Sequence, residues 1–213
     1  MEINTNNVFG ENMNFNVIKE NLEKYGYDVS CFESVKEANQ YLNESINDVS
    51  IGIGGTMTVQ QMGVYDSLKS HNKILWHMKP EEGLTAQELR HLSGTADVYI
   101  SSANAISKTG EIVNIDNNCD RVANTLYGHK KVFFVIGKNK IADTLEDAIF
   151  RARNVAAPLN AKRLNRKTPC AINGDKCYDC NSPDRICRGL SVLWRKPAGC
   201  EYEVVLINED LGF

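Results

Sequence analysis

The sequence predicts an α/β fold: a layered domain on a mainly parallel sheet, closed by a C-terminal cysteine-rich segment and a β-hairpin. Three observations carry this. Short β-forming runs alternate with helical stretches of roughly 10–15 residues, the pattern of parallel strands joined by crossover helices. One such run, residues 49–53, passes directly into a glycine-rich turn and then a helix. After Pro158 the periodicity fades, and residues 159–189 are polar, basic and rich in cysteine.

The elements follow in order. Residues 14–25 read as an amphipathic helix, because Phe15, Ile18, Leu22 and Tyr25 share a face and Gly26 stops it. Residues 27–32 alternate as a strand does. Ser34 and Glu37 form a capping box that opens a helix to Leu42 or Ile46. After the strand at 49–53, a helix carries Val59, Met62, Tyr65 and Leu68 roughly in line, with Val59, Met62 and Leu68 as a core stripe. Residues 73–76 are a strand, Thr85 and Glu88 cap a helix to Leu92, and 96–101 is a strand again. Lys108-Thr109-Gly110 turns the chain into a strand at 111–116, and a helix at 121–127 stops at Gly128. Residues 131–136 are strongly β-forming, and Thr144 with Asp147 opens a helix that ends before Pro158. The runs 191–195 and 202–207 read as a hairpin around Pro197-Ala198-Gly199.

A chain of 213 residues is expected to form one domain over 1–213, with the basic, cysteine-rich segment 159–189 inside it. The 27 acidic and 24 basic residues leave a net charge of −3 with no long basic block, which argues against a nucleic-acid partner. No window approaches the roughly 18 apolar residues of a membrane span. The opening residues carry neither a basic nor an apolar leader region, so a cytoplasmic, reducing location is expected.

Two clusters are candidates for a ligand site. Gly52, Gly54 and Gly55 lie where a strand runs into a helix, with Thr56 and Thr58 as added hydroxyls. Backbone amides at a helix start favour an anion, and glycines let it approach. Thr58 with Gln61 also reads as a capping box. The spacing is neither the dinucleotide fingerprint nor a Walker A loop, and a tight packing turn explains the same residues. The second cluster lies in 101–124 and holds Asn104, Asn114, Asp116, Asp120, Arg121 and Asn124, at the ends of two strands expected to be neighbours. Arg121 at a helix start calls for an anion, whereas Asp116 and Asp120 also serve as turn or capping residues. Lys138, after the strand at 131–136, belongs to the same edge and either clamps an anion or is solvated. His77, after the strand that holds Trp76, reads as an ordinary surface or packing histidine more than a site residue.

The strings GIGGTMT, SSANAI, GEIVNIDNNCDRVAN, RNVAAPLNAKRL and NSPDRIC occur in order and together resemble the LUD-domain family, lactate-utilization proteins of the LutC/YkgG type, over residues 14–213. The resemblance implies the fold shared by ribose-5-phosphate isomerase, glucosamine-6-phosphate deaminase and CoA transferases. It implies a link to lactate oxidation, with iron–sulfur proteins as partners. It also implies that the glycine loop and residues 114–121 line the site of a phosphorylated or acyl ligand. Fold analogy alone does not assign the chemistry.

Cys170, Cys177, Cys180 and Cys187, spaced x6, x2 and x6, are a candidate metal centre. Four thiolates suit a [4Fe–4S] cluster or a tetrahedral zinc site, and free redox-labile thiols are the third reading. Between 151 and 174 stand Arg151, Arg153, Lys162, Arg163, Arg166 and Lys167 with no acid, a set that would stabilise a thiolate centre, face a ligand, or form a solvated face. Three functions remain open: a component of lactate oxidation, an isomerase- or acyl-transfer-like enzyme on a phosphorylated or CoA ligand, and a non-catalytic zinc-binding interaction module.

Overall fold

A computed structural model describes residues 14–80 and 83–213 of the chain. The leader reading rests on residues that lie outside the described ones. The strands are β1 (Asp28–Phe32), β2 (Ser50–Ile53), β3 (Lys73–Trp76), β4 (Val98–Ser101), β5 (Ala105–Ser107), β6 (Ile112–Asp116), β7 (Lys131–Gly137), β8 (Ile141–Ala142), β9 (Gly189–Leu193) and β10 (Glu201–Ile207). Six of them form a wholly parallel sheet in the order β1-β10-β7-β4-β2-β3. A smaller mixed sheet has the order β8-β5-β6-β9.

The central strands are apolar on both faces, as covered parallel strands must be. In β7, Phe133 and Val135 point into one core while Val132, Phe134 and Ile136 point into the other. The first core is completed by α2 (Val35–Ser45), α3 (Met57–Met62) and α4 (Tyr65–Lys69), through Leu42, Val59 and Leu68. The second lies under α1 (Asn16–Lys24) and the small sheet, through Ile18, Leu22, Ile106, Ile112 and Leu193. The remaining helices are α5 (Ala86–Ser93), α6 (Asp120–Leu126), α7 (Leu145–Arg151), α8 (Ala157–Arg163) and α9 (Pro169–Asn173). The α/β class and its mainly parallel sheet are as the sequence predicts. The cap on α5 is formed in full, with Thr85 and Glu88 satisfying each other's backbone amides.

Three expectations are corrected. The hairpin does not form: β9 pairs antiparallel with β6 in the small sheet, while β10 lies between β1 and β7 in the main one. The run Val204–Ile207 is apolar on successive residues, which suits a strand buried on both faces better than a hairpin arm. The single helix expected through Val59 and Leu68 is two, because Gly63 takes a left-handed conformation at φ 68° and ends the first. The helix opened by Thr144 does not end before Pro158. The helical run passes through a π-helical turn at Ala152–Ala156 into α8, and Pro158 sits directly after that turn.

Candidate functional site

The chain runs from β2 outward to β3, then back across β2 to β4, so the strand order reverses between β2 and β4. In an open parallel sheet that reversal opens a crevice at the carboxyl ends of the strands. A cleft of about 330 Å³ lies there. Gly55, Thr56 and Met57 after β2, His77 and Met78 after β3, Ser102, Ala103 and Asn104 after β4, and Lys140 after β7 line it. Asp116, Asp120 and Arg121 close it from β6 and α6, and Arg163 and Arg166 reach it from the end of α8 and the turn beyond.

The glycines act differently from one another. None of Gly52, Gly54 and Gly55 has a positive φ, so space rather than backbone freedom explains them. A Cβ on Gly52 would strike the Ser93 carbonyl and Tyr99. One on Gly54 would crowd Tyr99 Oη at 3.0 Å and Arg121 Cγ at 3.2 Å, and one on Gly55 would meet the His77 ring at 3.2 Å. Gly52 and Gly54 therefore serve packing, and Gly55 and Thr56 face the cleft. The capping box expected of Thr58 and Gln61 is absent: α3 begins at Met57, Thr58 lies within it, and Gln61 accepts from the Gly212 amide.

Arg121 donates to the carbonyls of Ile115 (2.6 Å) and Ser102 (3.4 Å) and to Asn104 Oδ1 (3.1 Å). These are neutral acceptors, and a guanidinium has five N–H groups, so charge and donors remain for a ligand. Asn104 is fixed by the Ile115 amide at 2.7 Å. Asp116 accepts from the amides of Asn117 (2.7 Å) and Val122 (3.2 Å), the capping role that was its alternative reading. Asp120 lies 3.8 Å from Arg90. Burial, and then the Arg90 charge, hold His77 below the ordinary histidine value, and its Nδ1 is buried without a partner among the described residues.

Of the residues the sequence singled out, Gly55, Thr56, Asn104, Asp116 and Arg121 line one cleft. Gly52, Gly54 and Thr58 lie behind it, and Asn114 sits inside the small sheet opposite Ser191. Lys138 is half-buried away from the cleft, and Lys140 takes the place expected of it. Lys140 is 4% exposed and donates to Thr58 Oγ1 (2.8 Å), Ser102 Oγ (2.9 Å) and the Ala103 carbonyl (3.2 Å). Two lysines in GKNKI cannot be told apart by pattern. The 3₁₀ turn at Lys138–Lys140 is what aims the second inward.

The cysteines have separate surroundings. Cys170 meets the Thr168 hydroxyl at 3.3 Å, Cys177 lies beside Arg153 and accepts from the Asp179 amide, and Cys187 Sγ accepts from Arg185 Nε at 3.1 Å. All seven thiols are free. Among the described residues, no three Cys, His, Asp or Glu side chains are placed to share a metal ion, so this arrangement does not itself fit a cluster.

The LUD domain family matches residues 15–207. Among solved structures, a DUF162 family protein from Deinococcus radiodurans, a crystal structure at 1.70 Å, superposes with a TM-score of 0.52 at 13% identity, covering 90% of this chain and 94% of that one. At that identity the likeness shows the fold. No curated protein matches the chain.

Proposed function

The chain belongs to the LUD-domain family, and from that premise we propose that it is a lactate-utilization protein whose cleft binds a small ligand carrying a carboxylate or phosphate. One observation carries the reading. The cleft is lined by five basic side chains, Arg90, Arg121, Lys140, Arg163 and Arg166, against the Asp116 and Asp120 carboxylates, of which Asp120 pairs with Arg90 and leaves the other basic groups without an acidic partner in the lining. Both carboxylates are already engaged, one by backbone amides and one by Arg90. Cations crowded without counter-charge are costly unless an anion faces them. A volume of about 330 Å³ suits a small acid or a sugar phosphate. It favours these over a whole CoA within the isomerase- or acyl-transfer-like alternative. A role beside iron–sulfur partner proteins of lactate oxidation is part of the same proposal.

A thiolate centre on Cys170, Cys177, Cys180 and Cys187 is a second reading, favoured by the guanidinium groups that Arg153 and Arg185 place on two of the sulfurs. It requires residues 170–187 to draw together around the metal. Metal analysis after anaerobic purification tests it: stoichiometric iron or zinc, lost in Cys177→Ser/Cys180→Ser, supports it, and metal-free protein rejects it.

The cleft is tested by thermal denaturation with lactate, pyruvate, inorganic phosphate, ribose 5-phosphate and CoA. At least one should raise Tm in a saturable, salt-sensitive way, and Arg163→Gln/Arg166→Gln should weaken that effect. No stabilisation by any of the five at low salt would reject the reading.

A further inference from the structure

We propose that Lys140 is the nucleophile of the cleft, an amine that forms an imine with the carbonyl of a small aldehyde or ketone bearing a carboxylate or phosphate. This rests on the anion-binding reading and adds a reaction to it.

The position of Lys140 is the first argument. It follows β7 at the carboxyl edge of the sheet, is 4% exposed, and still lines the cleft. Its shell is the second. Nζ touches two hydroxyls and one carbonyl and, among the described residues, no carboxylate. A lysine buried for structure alone ordinarily takes an acid as partner. The Thr58 and Ser102 hydroxyls accept from an ammonium and equally donate to an amine, so the shell serves both states. The charged groups packed around Nζ are cations: Arg121 from α6 and Arg151 from α7. Asp210 bears on Arg151 rather than on the amine. Burial first, then these two charges, hold Lys140 well below the ordinary lysine value, which frees its lone pair.

Nζ attacks the carbonyl carbon and a C–N bond forms. The carbonyl oxygen departs as water with the two amine protons, leaving C=N. No electrons are exchanged with an outside donor or acceptor. Arg121, with donors to spare, stands beside the amine to hold the anionic end of the substrate.

Glyoxylate is the probe. The full chain is incubated with glyoxylate and cyanoborohydride at pH 7, with and without inorganic phosphate, and the modified lysines are mapped by mass spectrometry. The same protein is melted with and without phosphate. The expected result is adduct concentrated on Lys140 over exposed Lys24 or Lys162, since a lowered pKa leaves more free amine at pH 7. Phosphate should suppress that adduct. Lys140→Arg should abolish it, because a guanidinium forms no imine under these conditions. Adduct spread over surface lysines, with Tm still responding to phosphate, overturns the nucleophile and leaves the anion site standing. Dominant Lys140 adduct without a phosphate response supports the nucleophile and removes the anion site. Neither signal overturns both.

Discussion

Two lysines, one half-buried and one buried, stand at opposite ends of the same strand. At the start of β7, Lys131 Nζ lies 2.8 Å from Glu203, a carboxylate 3% exposed that also accepts from Tyr41 (2.5 Å) and Ser30 (2.7 Å). Burial opposes ionisation of both groups, yet the pairing wins: Lys131 is held above the ordinary lysine value and Glu203 below the ordinary glutamate value. Past the other end of β7, Lys140 has hydroxyls, a carbonyl and two neighbouring guanidiniums instead. One end is closed electrostatically and the other is left open. The open end is where the strand order reverses and the cleft lies. An uncompensated buried charge at the carboxyl edge of a parallel sheet is the sign of a ligand, while the same residue type at the opposite edge is a fastening.

The comparison is broken most severely by removing the fastening. Glu203→Ala strands Lys131, Tyr41 and Ser30, and is expected to cost about 3–5 kcal/mol in denaturant unfolding while phosphate binding per folded molecule stays the same. The depressed glutamate stabilises the wild type above its unfolded value near 4.3, and that contribution disappears as pH falls through its folded value. Wild type and variant should therefore converge in stability in acid.

Next comes Gly52→Ala, whose Cβ meets the Ser93 carbonyl. Overpacking against backbone should cost about 1–3 kcal/mol in urea unfolding. Gly55→Ala, which meets only the His77 ring, should instead weaken ligand-induced stabilisation with little change in the apo Tm.

Lys140→Met removes a charge that is costly to bury, so stability is expected to hold or rise by about 1 kcal/mol. The sign with pH is opposite to that of Glu203. Between its lowered folded value and the unfolded value near 10.4, the unfolded chain binds more protons at Lys140, so wild-type stability rises with pH there. The advantage of the variant should be largest toward neutral and acid pH and vanish above about pH 10.4. The smallest effect is expected for Arg163→Gln/Arg166→Gln: unchanged urea midpoint, and ligand affinity reduced several-fold with a flatter salt dependence.

What could be read from the sequence divides along the same line. Strand runs, the Thr85–Glu88 cap and the Thr144 cap depend on neighbours a few residues apart, and they form where local pattern puts them. The place of β10 depends on which gap in the sheet is unfilled, and no local pattern records that. The small strand β5, three residues long, is too short for a period to show. In the site, Arg121 and Asn104 were legible because polar residues gathered after strands. Lys140 was not, because GKNKI offers two lysines and only the turn selects one. Arg163 and Arg166 stood out as uncompensated charge, but the π-helical turn that carries α8 on to the cleft could not be inferred from the Pro158 that sits beyond it.

The most direct test of the contrast is a pH titration of the lysine side-chain nitrogens by ¹⁵N NMR, with assignment through Lys131→Arg and Lys140→Arg. Lys131 is expected to titrate above the ordinary lysine value near 10.4 and Lys140 well below it. A Lys140 that titrates with the exposed lysines or above them would contradict the contrast, because its charge would then be compensated as that of Lys131 is, and its amine would be no freer than a surface one.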